Sequence, residues 1–156
     1  IKEDEKPESK DFPLQMKVGL IDEVKNHPNA DSLYLLNVDF GIEDRQVVAG
    51  LKKDFKKKDL LDKKTVFCTN LKKAKLRGEV SEAMILVAEG KKIALLEPSA
   101  EVGEEVEFAG IDNSNKEVTF DVFSKLKMKV KDKKIFYEKK ELKRVSVNIE
   151  NGAKIC

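Results

Sequence analysis

Short apolar runs recur along the first two thirds of the chain at intervals of about ten residues, with turn-forming segments between them. The runs occupy residues 16–24, 33–40, 46–51, 65–69 and 83–88. Asparagine, aspartate and proline fill the segment between the first two runs, as is typical of turns. Runs of this length are typical of strands, and their spacing predicts a small all-β barrel or sandwich.

The regions around these runs define the expected domains. Residues 1–13 are mostly charged, which predicts a linker to the rest of a longer protein. Residues 14–110 contain the five strands and a lysine-rich stretch, 52–64, that suits a short amphipathic helix or an ordered loop. A further apolar run at 106–108 is expected to close the barrel.

Residues 111–156 predict a small α/β extension. Four apolar side chains recur there at helical spacing: Val118, Val122, Phe123 and Leu126. Residues 134–137 and 144–149 alternate between apolar and polar side chains, as strands do. The extension has too few apolar residues to fold alone, so we expect it to pack on the barrel and cover part of it.

The composition excludes several classes of protein. The 156 residues include two cysteines and one histidine, which gives neither a disulfide framework nor a zinc signature and favours a reducing, cytoplasmic location. No apolar stretch is long enough to span a membrane. We therefore expect no metal, no cofactor and no membrane partner.

Charge alternates strongly along the chain although the net charge is only +2. Residues 52–78 carry 11 basic and 3 acidic groups, and residues 122–156 carry 11 and 4, whereas the segments before and between them are acidic. Nearly all of the basic groups are lysines, which suit phosphate contacts better than the reading of bases. The pattern favours binding to a nucleic-acid backbone with little sequence preference.

The segment from Asn70 to Met84 concentrates the candidate binding residues. If residues 73–77 are extended, Lys73, Lys75 and Arg77 point to one side with their heads roughly 6.6 Å apart, close to the phosphate repeat of a single strand. Gly78 permits a close backbone approach, and Ser81 and Met84 offer a hydroxyl and a soft apolar surface. A solvated lysine-rich face is the ordinary alternative.

Three ordered sequence blocks resemble a known family. They are His27-Pro-Asn-Ala-Asp-Ser-Leu-Tyr34, Arg45-Gln-Val-Val-Ala-Gly-Leu51, and Asn70-Leu-Lys-x-Ala-Lys-Leu-Arg-Gly-x-x-Ser-x-Ala-Met84. The chain is similar in these blocks to the tRNA-binding domains typified by endothelial-monocyte-activating polypeptide II. The resemblance covers residues 16 to about 110, and it becomes looser in the extension. Lys73 stands where eukaryotic relatives commonly have proline.

The resemblance implies a five-stranded OB-fold that binds the body of folded tRNA without choosing among tRNAs. In eukaryotic members the extension covers the barrel surface that bacterial members use to dimerise, so a monomeric domain is expected. The family's RNA-contacting motif maps onto seven positions: Asn70, Lys72, Lys73, Lys75, Arg77, Ser81 and Met84. We add three lysines from neighbouring segments as candidate contacts: Lys25, Lys52 and Lys53.

Two other classes of function have weaker support. An enzyme would need an orienting partner for the single histidine, His27, or a nucleophile or phosphate-binding motif, and none is found in the sequence. His27 is better interpreted as part of a structured turn. The remaining alternative is a released cytokine-like domain or a protein-interaction domain of a synthetase complex. Some relatives are released as cytokines, but this chain matches the corresponding stretch, residues 17–23, only in part.

The sequence therefore predicts a tRNA-binding module without chemistry of its own. Its expected partners are tRNA and, in the same polypeptide, the catalytic domain of a eukaryotic methionyl- or tyrosyl-tRNA synthetase. Such a module raises the local concentration of tRNA near the catalytic body.

Overall fold

The computed structural model describes residues 12–156, so most of the predicted linker lies outside the described residues. This part of the chain forms fifteen short strands and two short helices. In chain order they are β1 (Met16–Asn26), β2 (Tyr34–Asp39), β3 (Asp44–Ala49), α1 (Lys57–Leu60), β4 (Lys64–Cys68), β5 (Ala74–Leu76), β6 (Glu79–Ser81), β7 (Met84–Ile85), β8 (Val87–Glu89), β9 (Ile93–Leu95), β10 (Glu97–Pro98), α2 (Phe120–Ser124), β11 (Met128–Lys131), β12 (Lys134–Tyr137), β13 (Lys140–Glu141), β14 (Val145–Ser146) and β15 (Lys154–Ile155).

Five antiparallel strands form a nearly closed barrel in the order β3-β2-β1-β4-β7. The long β1 pairs with both β2 and β4, and a register shift between Ile21 and Glu23 bends it. At the closing seam the Glu82 N–H donates to the Gln46 carbonyl over 2.8 Å. The prediction of a mostly β, OB-like barrel is confirmed.

Gly19 is a buried residue of β1, in the wall of this barrel. A Cβ atom added there would lie 2.5 Å from Val38 Cγ1 and 2.8 Å from Phe40 Cε1, closer than carbon atoms approach. Both neighbours are fully buried, so they have little room to move. The close packing of Val38 and Phe40 against β1 therefore requires glycine at this position.

The predicted fifth strand is divided between two sheets. Its first part, β7, pairs with β4, whereas β8 pairs with β9 and with β15 from the end of the chain. Leu86 lies between the two parts, and its N–H still donates to the Val66 carbonyl. The chain thus passes from the barrel sheet into a second sheet at Leu86.

The second sheet joins the extension to the barrel. Its order is β13-β12-β11-β15-β8-β9, so four of its six strands come from residues 128–155. The core beneath it contains Met16 and Val66 of the barrel together with Phe123, Val130 and Ile135 of the extension. The prediction that the extension packs on the barrel is confirmed.

Several local predictions differ from the structure. The helix is only five residues long, and Leu126 lies beyond its end. The alternating segment at 144–149 forms only the two-residue β14, while β12 matches its prediction. Phe12, assigned to the linker, is 1% exposed and packs edge-on against Phe108 and Tyr137, so it belongs to the folded core.

None of the helices within residues 12–156 has the length and apolarity needed to cross a membrane.

Candidate nucleic-acid interface

Strands β5 and β6 form a hairpin whose turn consists of Arg77 and Gly78. Both turn residues have positive φ, 54° and 94°, the combination found in type I′ turns. The register pairs Lys75 with Val80 and Leu76 with Glu79. With Lys72 and Lys73, which lead into β5, residues 72–81 are called the cationic hairpin below.

The four cations of the hairpin reach solvent. Lys72, Lys73, Lys75 and Arg77 are all exposed. Lys73 Nζ lies 3.7 Å from a carboxylate oxygen of Glu82, an exposed pair that contributes little. Within residues 12–156, no carboxylate lies within ion-pair distance of the other three. Most of the positive charge is therefore available to an anionic partner.

The expected alternation of Lys73, Lys75 and Arg77 along one strand is wrong at its last position. Arg77 lies in the turn, in a left-handed conformation, and β5 ends at Leu76. Ala74 and Leu76 line a recess on one side of the hairpin, and the alternation of a strand places Lys75 on the other side. The spacing of roughly 6.6 Å therefore applies only to Lys73 and Lys75. Arg77 lies past the end of β5, at the tip of the hairpin.

His27 fixes the tip of the hairpin to the β1–β2 loop. Its side chain is 5% exposed, and Nδ1 accepts a hydrogen bond from the Asn29 N–H over 2.9 Å. Nε2 must then carry the hydrogen, and it donates to the Leu76 carbonyl over 2.9 Å. The sequence block at residues 27–34 therefore holds the block at residues 70–84 in place through a direct hydrogen bond.

Strand β3 holds the other side of the hairpin. The Gln46 side-chain amide donates to the Val80 carbonyl over 2.8 Å, and the Val48 N–H donates to Ser81 Oγ over 2.9 Å. Arg45 donates from Nη1 to the carbonyls of Thr69 and Glu82, which flank the hairpin in sequence. These β3 residues begin the second sequence block, and their bonds to the hairpin were not predicted.

Asn70 and Ser81 were expected to contact RNA, yet the structure uses their side chains internally. Both are at most 9% exposed. The Asn70 amide donates to the carbonyls of Pro13 and Lys116, and its oxygen accepts from the Gln15 N–H. Ser81 Oγ donates to the Ala83 carbonyl and accepts from the Val48 N–H of β3. This geometry favours a positioning role for both residues over direct contact.

The remaining candidates lie at different places. Met84 is half-buried and lines the recess beside β5. Lys52 is half-buried, with Nζ 5.9 Å from the Tyr34 ring centroid, whereas Lys53 is exposed. Lys25 is exposed and pairs with Glu23 at 3.3 Å. Met84 therefore lies beside the hairpin. The ammonium groups of Lys52 and Lys25 instead contact the Tyr34 ring and the Glu23 carboxylate.

Cys68 lies beneath the start of this region and is buried. Burial raises the pKa of its thiol to about 11, and Sγ donates to the Asn70 side-chain oxygen at 3.2 Å. Because only the thiolate reacts, native Cys68 should resist alkylation by iodoacetamide at pH 8 and react quickly once urea unfolds the chain. Mass spectrometry of the labelled peptides measures this in the native and in the unfolded chain. Equal labelling rates for Cys68 in the two states would contradict it.

Several known proteins are similar to this chain in sequence. Residues 16–105 match the family described as "Putative tRNA binding domain". The methionine–tRNA ligase of Pyrococcus horikoshii is 51% identical over 90 residues, which are 57% of this chain and 12% of that relative. The chain therefore spans a small part of the curated relatives that it matches.

Two solved structures are similar to the fold. The C-terminal domain of Plasmodium vivax p43 has a TM-score of 0.78 and 29% identity, and the match covers 92% of this chain and 96% of that one. A MetRS-related protein from Pyrococcus horikoshii has a TM-score of 0.57 and 35% identity, over 60% of this chain and 90% of that one. With more than half of its residues matched by the family model, the chain belongs to the tRNA-binding domain family.

Proposed function

We propose that this chain binds the sugar–phosphate surface of folded tRNA through the cationic hairpin, without choosing among tRNAs. The observation that carries the proposal is the group of four exposed cations on a hairpin held from two sides, by His27 and by β3. Lysine heads fit phosphates as point charges and carry little information about bases. The rigid backbone lowers the entropy cost of placing them together.

We further propose that the module serves an aminoacyl-tRNA synthetase whose catalytic domain lies in the same polypeptide. The names of the relatives, methionine–tRNA ligases, favour a methionyl enzyme over a tyrosyl one. The module itself would contribute binding and no chemistry, in the cytoplasm. Its single histidine uses both ring nitrogens in bonds to the backbone, so it is not available as a general base.

The domain would act as a monomer. Strand β15 occupies the edge of β8 that would otherwise be open to pairing with a second chain. In eukaryotic members of the family that the sequence resembles, the extension covers the barrel surface that bacterial members use to dimerise.

A salt titration tests the binding proposal. With about four phosphate contacts, affinity for tRNA should fall on the order of a hundredfold between 50 and 200 mM KCl, because bound cations release counterions from the phosphates. Fluorescence anisotropy with several labelled tRNAs measures both this slope and the selectivity. The tRNAs should bind within a few-fold of one another. An affinity that does not change with salt, or one tRNA bound far more tightly than the rest, would contradict backbone recognition.

A further inference from the structure

An apolar recess of about 350 Å³ lies beside the cationic hairpin. Seven of the nine residues that line it are apolar, among them Leu71, Leu76, Met84 and Phe120. The ammonium-bearing side chain of Lys72 also borders it. The volume is at the lower end of the range for small-molecule sites, about 300–1,000 Å³. It therefore suits one flat group rather than a large ligand.

Two walls of the recess expose unusual amounts of apolar surface. Phe120 is 60% exposed and Leu76 is 39% exposed, and both belong to the few large apolar side chains that reach solvent within residues 12–156. The Phe120 ring touches one aromatic neighbour, Phe123, with centroids 5.7 Å apart. More than half of the Phe120 surface is therefore open to a partner. Apolar surface gathered around a recess in this way indicates a binding site.

The extension sets the position of Phe120 relative to the hairpin through backbone bonds. Val118 forms a parallel bridge with Leu71, and its N–H donates to the Asn70 carbonyl over 2.9 Å. Its carbonyl accepts from the Lys72 N–H over 2.8 Å. Phe120 follows two residues later. The aromatic side of the recess and its cationic side are therefore joined by one short ladder.

The charge around the recess identifies its occupant. A ligand with a flat apolar group and a nearby anion would satisfy both Phe120 and the exposed ammonium group of Lys72. A nucleotide has this combination, since its base stacks on aromatic rings while its phosphate meets lysines. Paired bases are hidden in a helix, so only an unpaired base can enter.

We propose that the recess binds one unpaired nucleobase of the RNA, stacked on Phe120, while the cationic hairpin holds the adjoining phosphates. The inference rests on the proposed function and extends it from backbone contacts to a structural feature of the RNA. It also gives the extension a direct part in recognition. Discrimination arises between looped and fully paired RNA rather than between sequences, because every base has a stacking face.

Replacement of Phe120 tests the inference in the full chain. Phe120→Ala should weaken binding to a tRNA transcript by about 5- to 150-fold, the range of one lost base stack. It should change affinity by less than about twofold for a blunt RNA duplex with the same number of phosphates, because those contacts remain. Phe120→Trp should keep tRNA affinity. Ile42→Ala, at another exposed apolar residue (88% exposed), is the matched control and should have no effect.

The outcomes separate the two proposals. An unchanged thermal midpoint is expected for Phe120→Ala, since the side chain is mostly exposed. If Phe120→Ala binds tRNA as tightly as the unaltered chain, or loses tRNA and duplex equally, the base-binding site is wrong while the hairpin proposal stands. If the unaltered chain binds no tRNA, both proposals are overturned. A tRNA-selective loss that tryptophan restores supports the stacked base.

Discussion

Replacing Lys73, Lys75 and Arg77 together by alanine should lower tRNA affinity about a hundredfold at low salt. Two unit charges 4 Å apart in water attract by about 1 kcal/mol, which corresponds to about a fivefold change in affinity. Three such contacts are lost. The three side chains are exposed, so the fold should be unaffected. The salt dependence should become shallower by about one unit of logarithmic slope for each lost phosphate contact. Anisotropy titrations at several KCl concentrations measure both effects.

A matched variant removes the same amount of charge elsewhere. Lys91 and Lys92, between β8 and β9, and Lys143, after β13, are exposed and border neither the hairpin nor the Phe120 recess. Their replacement by alanine should leave tRNA affinity within a few-fold of the unaltered chain. If this variant loses as much affinity as the hairpin variant, binding depends on total charge, and the hairpin is not the site. Loss confined to one tRNA would also contradict backbone recognition.

Removing the His27 side chain should release the hairpin. His27→Ala removes its hydrogen bonds to the Leu76 carbonyl and the Asn29 N–H, each of which contributes about 0.5–1.5 kcal/mol because both bonds are only part-buried. The thermal midpoint should therefore fall by several degrees. Affinity for tRNA should also fall, because the cations at the hairpin tip lose their fixed position. Calorimetry and anisotropy on the same sample measure the two effects.

Two conservative variants separate the two bonds of His27. Glutamine can carry a donor at the reach of Nε2, and asparagine can supply an acceptor near the position of Nδ1. His27→Gln should therefore hold the hairpin and keep more tRNA affinity, whereas His27→Asn should keep the turn at Asn29 and lose the hairpin contact. The reverse order of affinities would show that the turn, and not the hairpin contact, matters for binding.

Much of the barrel could be predicted because its strands are long enough to show a pattern. Strands β1 to β4 are each five or more residues long and contain several apolar side chains, and each was predicted within a few residues of its observed bounds. Strand β11 was missed because its apolar residues, Met128 and Val130, alternate with lysines inside a strongly basic segment. Both apolar side chains are buried.

The sequence motif names candidate residues for the site, but the shape of the hairpin could not be predicted from it. Strands of three residues give no periodic signal, and Arg77-Gly78 is not among the dipeptides that usually mark a two-residue hairpin turn. The roles of Asn70, Ser81 and His27 depend on contacts between segments distant in sequence, which no local pattern contains. The part of Phe120 in the recess follows from pairing between Leu71 and Val118, and it was missed for the same reason.

The core shared by the barrel and the extension links recognition to folding. Met16 and Val66 pack in the same cluster as Phe123 and Ile135, so neither part has a complete interior without the other. The two parts should therefore melt in one cooperative transition. A nascent chain that has emerged only as far as the hairpin would present lysines to RNA but no aromatic wall. Selectivity for looped RNA would then arise only once the segment from Phe120 to β15 has been made and has docked on the barrel.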